Sequence, residues 1–182
     1  IINLGFSEVE AIKIVQKFNT KAMEVIQNKI YTIHKRISYI EFEKIDEIAL
    51  LMGHKKNASN RILAAIDHFL LTAHDNGECL INYDMFFNKL ARYLKVEDRE
   101  LVNEINFGLQ NSFFYMYKEA DISYIQHKKI KHAEMEVSRR LFMLLNNTNH
   151  KPNSKTVFQI KNIKRDGEKE VSLSEEQTKA VF

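Results

Sequence analysis

The side chains best equipped for chemistry in this chain are seven histidines, one cysteine and a run of aromatic rings. His34, His54, His68, His74, His127, His132 and His150 are scattered, with no two spaced three or four residues apart, and Cys79 offers no second thiolate. Neither a zinc cage nor a disulfide is expected. Cys79, beside Leu80 and Ile81, reads as a small buried apolar residue, because nothing nearby would depress its pKa and make it a nucleophile. The phosphate loop G-x-x-x-x-G-K-[ST], the G-x-G-x-x-G fingerprint, the G-x-S-x-G elbow and H-E-x-x-H are all absent from the sequence. The chain alone is therefore expected to be catalytically inert, with no catalytic residue, no metal site and no cofactor of its own. Phe113, Phe114, Tyr115, Tyr117 and Tyr124 could stack on unpaired bases, but alternation along a hairpin sends about half of such residues inward, so packing is the favoured reading.

Composition narrows the class. The chain has 182 residues with 45% hydrophobic residues, five Gly, one Pro and no Trp, which fits one or two small folded domains and excludes collagen, wholesale disorder and a disulfide scaffold. No apolar run reaches the roughly 18 residues of a membrane span. A cytoplasmic setting without a membrane partner is expected, and the start at Ile1-Ile2-Asn3 suggests a piece of a longer polypeptide. Basic residues outnumber acidic ones nine to seven over residues 1–56 and twelve to seven over 126–182, but are outnumbered six to ten over 57–125. Basic ends around an acidic centre hint at a polyanion held at the ends, or a protein partner met in the middle.

Periodicity predicts the elements that must position these groups. Val9, Ile12, Val15 and Phe18 suggest a helix capped by Ser7, with Glu8 and Glu10 in its first turn. A short helix with Met23, Val25 and Ile26 follows, capped by Thr20, and another runs from Phe42 to Met52 with Gly53 as its stop. Further on, Ile62, Ile66, Phe69, Leu70 and Ala73 mark a helix ending near Asn76-Gly77. A short strand at 79–82 and Asp84 as an N-cap lead to helices lined by Phe86, Phe87, Leu90, Ala91 and Leu94 and by Leu101, Val102, Ile105 and Leu109. Strands at 113–117 and 122–126 flank a turn at Glu119-Ala120-Asp121, completing a winged-helix order. Residues 128–146 form a long helix with Ile130, Val137, Leu141 and Leu144 along one side. A polar linker to Ser154, strands at 156–163 and 168–172 joined by Asp166-Gly167, and a capped helical start at Ser174 follow.

Leu4-Gly5-Phe6-Ser7, the Lys17-Phe18 helix end, the stretch Thr20-Lys21-Ala22-Met23-Glu24-Val25-Ile26-Gln27-Asn28-Lys29-Ile30-Tyr31 and Phe42-Glu43-Lys44-Ile45-Asp46-Glu47-Ile48-Ala49 before Gly53 resemble the N-terminal region of long RecD-like DNA helicases, the exodeoxyribonuclease V alpha-like group. The order continues through 61–94, 131–145 and Leu173-Ser174-Glu175-Glu176-Gln177-Thr178-Lys179-Ala180-Val181, so the resemblance spans nearly the whole chain. It implies a mainly α fold: a helix-hairpin-helix module at 1–56, a winged-helix-like module with a small β-hairpin at 57–127, a connecting helix at 128–146, and a linker with the start of a motor domain at 147–182. It also implies a truncated superfamily-one parent, an ATP-driven DNA helicase of repair and recombination, whose ATP and magnesium belong to a motor beyond this segment. Gln177 would contact the adenine, its amide matching a donor and an acceptor on the base.

In helix-hairpin-helix modules a glycine-bearing turn aims backbone N–H groups, beside the positive end of the next helix, at a phosphate. By that resemblance Gly5 and Ser7 are phosphate candidates. The second hairpin departs from the family's G-I-G-F: Tyr39-Ile40-Glu41-Phe42 places a carboxylate near the phosphate position, so it is expected to be mostly structural, with Ile40 and Phe42 in the core and Lys35, Arg36 and Lys44 giving diffuse attraction. The helix at 98–109 sets Arg99 against Asp98, Glu100 and Glu104, a surface that opposes DNA. Lys118, Lys128, Lys129 and Lys131 around the hairpin are the better DNA-binding candidates. The leading expectation is an accessory DNA-positioning region, with single-stranded or forked DNA as partner. The alternatives are a stand-alone nucleic-acid-binding module and a protein-interaction module.

Overall fold

Helix α1 (Glu8–Phe18) begins where its capping box puts it: the Glu10 N–H donates to Ser7 Oγ at 3.3 Å, and the Ser7 N–H donates to Glu10 Oε2 at 2.6 Å. The computed structural model describes residues 1–37 and 39–146. A 3-10 turn (Ile2–Leu4) precedes α1, and α2 (Ala22–Asn28), α3 (Thr32–Arg36), α4 (Phe42–Leu51) and α5 (Ser59–Asp75) follow it. Next come β1 (Ile81–Asn82), α6 (Tyr83–Leu94), α7 (Asp98–Gln110), β2 (Phe114–Glu119), β3 (Ile122–His127) and α8 (Lys128–Asn146). The fold is mostly helical with a small antiparallel sheet, as the sequence predicts. The strands, the tight turn and the helical start expected within 147–182, and Gln177 with them, lie outside the described residues.

Several local expectations are corrected. The buried face of α1 carries Ala11 and Ile14, whereas Val9, Ile12 and Val15 are exposed. Residues 9, 12 and 15 and residues 11, 14 and 18 both have helical spacing, and the docking of Phe6 and Gly5 against α4 selects the second stripe. A 3-10 turn (Asn19–Lys21) takes the place of a Thr20 cap, and α2 buries Ala22 and Ile26 while Met23 is exposed. Helix α3 is an extra element, one turn of Thr-Ile-His-Lys-Arg that periodicity over five residues cannot reveal. Asn82, not Asp84, caps α6, accepting from the Met85 N–H at 3.0 Å. Cys79 is exposed, in the loop that joins α5 to β1. Gly53, at φ +87°, does end α4, with the His54 N–H donating to Ala49 O.

Two units divide the chain after Ala133. In the first, one apolar core runs from Phe6 through Ile45 and Ile66 to Leu101 and Ile125, on both sides of residue 56. An ionic node joins the two sides. Arg61, 3% exposed, grips Asp46, also 3% exposed, through Nε at 2.7 Å and Nη2 at 2.9 Å. The Nη1 of Arg61 donates to Lys56 O and Leu94 O, and the hydroxyls of Tyr31 (2.8 Å) and Tyr93 (3.3 Å) donate to the Asp46 carboxylate. Four segments of the first unit thus meet on one carboxylate. Burial, followed by the Asp46 hydrogen bond, pushes the Tyr31 hydroxyl well above its ordinary pKa and keeps it a donor.

The sheet has the order β1-β3-β2, with Ile81 opposite Ile125 and Phe114 opposite His127. Helices α5, α6 and α7 and this sheet come in the order helix, strand, helix, helix and two strands that the sequence predicts. Phe114 is 3% exposed because Gly108 of α7 leaves room for its ring: a Cβ on Gly108 would lie 2.3 Å from Phe114 Cζ. In the second unit, Glu136 pairs with Arg139 and Arg140 at 2.8 and 2.7 Å, and Val137, Leu141 and Leu144 are exposed. Ile130, their expected companion on one apolar side, is buried in the first unit. No helix among the described residues is long and apolar enough to cross a membrane.

Candidate nucleic-acid interface

The first hairpin spends its donors internally. Gly5 sits at φ +107°, a conformation that glycine adopts without strain, and its N–H donates to Ile2 O at 2.9 Å. The Ser7 N–H and hydroxyl are taken by the capping box, and Glu10 also accepts from Lys44 Nζ at 2.6 Å. Burial raises the pKa of Glu10, but the hydrogen bonds from Lys44 and Ser7 outweigh it and hold the carboxyl below its ordinary value. An ionised carboxylate therefore stands at the helix N-terminus where a phosphate oxygen would be received, and Lys44 is committed to it. In the second hairpin Ile40 and Phe42 are fully buried, Glu41 is exposed, and Lys35 pairs with Asp67 at 3.1 Å while Arg36 remains exposed.

The lysines near the β-hairpin are arranged differently. Lys128 and Lys129 are exposed on the first turn of α8, which holds no acidic residue. Lys131, one turn on, lies over the Tyr115 ring at 3.7 Å and the Tyr117 ring at 5.4 Å. Tyr115 and Tyr117 share one face of β2 because side chains alternate along a strand, which puts Lys118 on the other face with Met116. The structure thus sets Lys131 over two tyrosines, with Lys128 and Lys129 on the same end of α8, and leaves Lys118 near the hairpin tip. Of the expected aromatic cluster, Phe114 is core, Phe113 and Tyr117 are exposed, and Tyr115 and Tyr124 are half-buried. On α7, Glu100 accepts from Asn57 Nδ2 at 2.6 Å and Glu104 from Ser59 Oγ at 2.7 Å. These two carboxylates fasten α7 to the start of α5.

His127 anchors the lysine cluster. Its Nε2 lies 2.9 Å from Asp67 Oδ1, and its Nδ1 accepts the Lys129 N–H at 3.2 Å, which fixes the proton on Nε2 and caps α8 with a side chain from the preceding strand. Asp67 also pairs with Lys35, so α3 and β3 meet α5 at this carboxylate, and His127 passes the connection on to α8. Burial raises the Asp67 pKa, but the His127 hydrogen bond and the Lys35 charge outweigh it and bring it from 3.8 down to about 2. The carboxylate form is favoured by the fold, so its stabilisation is complete above about pH 4 and is lost as the pH falls toward 2. That shift corresponds to a contribution on the order of 2 kcal/mol. In acid-unfolding curves, Asp67→Asn is expected to flatten the fall in stability between about pH 4 and pH 2; a curve parallel to that of the unmodified chain would remove Asp67 from this role.

The pairing of Asp46 with Arg61 and of Asp67 with His127 was not foreseen in the sequence. The available signal was an Arg directly before Ile62 at the head of an apolar stripe and an Asp between Ile45 and Ile48. Among the described residues, no group of three or more His, Cys, Asp or Glu side chains is placed to hold a metal ion. His34 and His68 do meet, with ring centroids 5.2 Å apart, and His68 stacks on Phe42 at 4.9 Å. Burial lowers the His68 pKa, against the opposing pull of Glu43, whose Oε1 lies 3.0 Å from His68 Nε2.

Residues 1–80 match the family model described as the ATP-dependent RecD2 DNA helicase HHH domain. The matched span runs past residue 56 and takes in all of α5, the helix that carries Arg61 and Asp67. No curated protein matches the chain.

Proposed function

We propose, from the RecD2-type helix-hairpin-helix domain that residues 1–80 form, that this chain is a DNA-holding region of an ATP-dependent superfamily-one helicase. It holds a single-stranded or forked substrate for a motor and performs no chemistry itself. ATP and magnesium serve that motor, and Gln177 would contact the adenine. The observation that carries the DNA contact is the set of Lys128, Lys129 and Lys131 at the head of a 19-residue helix without a first-turn acid, with Lys131 over Tyr115 and Tyr117. Helix N-termini ordinarily favour acids, so three lysines there make a concentrated positive surface suited to phosphates. Lys118 and Arg36 add to the field from farther away. Gly5, Ser7 and Lys44 act through the first hairpin's own structure, and Lys35 acts beside Asp67.

Fluorescence anisotropy with a labelled single strand tests this. Lys128→Glu with Lys131→Glu is expected to weaken binding by about tenfold or more and to reduce the dependence on salt, because each lost phosphate contact removes roughly 0.7 from the slope of log affinity against log salt. Unchanged affinity would take the α8 cluster out of the interface. A protein-contact reading finds support in α7, where Val102 and Phe107 are 39% and 46% exposed on an otherwise acidic helix. Binding to a protein partner with no affinity for any DNA would favour it.

A further inference from the structure

Between α3, α5 and the start of β2 lies a cavity of about 440 Å³. Its floor is apolar, made by Leu63, Ala64 and Phe114, and one wall is Phe113. We infer that this cavity receives one unpaired nucleobase of a single strand, with the flanking phosphates on Lys128 and Lys129. The inference rests on the DNA-holding reading above and names a base-binding subsite within it.

Three features select a nucleotide. Phe113 is held ready: its N–H donates to Gly108 O at 2.9 Å, its ring meets Phe107 edge-on at 6.1 Å, and yet it is 45% exposed. An aromatic face fixed in advance loses little entropy when a base stacks on it. Asn60, on the lining, is exposed, and its side-chain amide offers a donor and an acceptor to the edge of a base. The rim carries Lys35, Lys128 and Lys129, while the single lining acid, Asp67, is neutralised by Lys35 and hydrogen-bonded to His127. An apolar peptide would satisfy the floor and leave Lys128 and Lys129 unanswered; a nucleotide satisfies both. A base inside a duplex stack cannot enter, so the subsite favours single strands.

The test compares the 182-residue chain on two labelled strands of equal length, oligothymidylate and the same strand with abasic sites at its centre. The unmodified chain is expected to bind the abasic strand about tenfold more weakly, since a base–aromatic stack is worth that much. Phe113→Ala should bind both strands alike, with duplex affinity unchanged, and Phe113→Trp should restore the preference. Asn60→Ala, at an exposed position, should reduce the preference without affecting folding. Equal binding of both strands by the unmodified chain, or a preference that survives Phe113→Ala, would overturn the subsite while leaving the DNA-holding reading intact. Absence of affinity for every DNA would overturn both.

Discussion

Asp46→Ala is expected to destabilise the first unit by about 3–5 kcal/mol, because it strands a buried guanidinium. Arg61 is 3% exposed, and the substitution removes the acceptor of its Nε and Nη2 donors and of the Tyr31 and Tyr93 hydroxyls at once. The cost comes chiefly from the unpaired charge left behind, not from the net worth of the pair, since two opposite charges brought out of water together lose much of what they gain. Replacing both partners, as in Asp46→Leu with Arg61→Met, should therefore cost less than the two single changes added together. In urea unfolding the single variant should show a clearly lower midpoint, and thermal unfolding a fall in Tm on the order of 10 °C. A loss under about 1 kcal/mol would mean that water reaches the node and that it does not join α4 to α5 and α6.

Phe114→Ala is expected to cost a similar amount, about 3–5 kcal/mol, through lost burial and the space left behind. Phe114 is the one residue of β2 that is buried, so it fixes the hairpin onto α7. Its partner is an absence: Gly108 leaves the space in which the ring lies. Gly108→Ala would gain about 1 kcal/mol of helix propensity on an exposed surface, but here the new methyl falls 2.3 Å from the ring and must displace it. Overpacking of this kind typically costs about 1–3 kcal/mol, so net destabilisation is expected. The pair is diagnostic by non-additivity: once Phe114 is alanine, Gly108→Ala should become neutral or stabilising. Denaturant titration of the two single variants and the double variant decides it, and a Gly108→Ala chain more stable than the unmodified one would contradict the packing described.

Local rules made the helix starts and stops legible. The S-x-x-E of Ser7 and Glu10, the stop at Gly53 and the uninterrupted helix over 128–146 each follow from residues a few positions apart. Faces were harder. On α1 two apolar stripes fit the same period, and only the approach of α4 to Gly5 chooses between them. At the head of α6, Asn82 and Asp84 are both cap residues, and the paired strand ending at Asn82 decides for the former. Ionic nodes were invisible for a different reason: Asp46 and Arg61 are types that belong on surfaces, and the side chains that pair with Asp46 lie 15 residues or more from it. The candidate interface was legible in charge and not in arrangement. Lysine type marked Lys128, Lys129 and Lys131, but the strand alternation that separates Lys118 from them, and the Glu10 carboxylate that answers Lys44, required coordinates. The cavity beside Phe113 draws its walls from four segments, at 31–35, 60–67, 113–114 and 127–129, beyond the reach of any local pattern.

The salt dependence of single-strand binding by the unmodified chain probes the DNA contact most directly. With Lys128, Lys129 and Lys131 on phosphates, log affinity should fall linearly with log salt, with a slope near −2 from about 0.7 per contact on a single strand. A chain that ignores single strands at low salt, or binds them with an affinity indifferent to salt, would contradict it.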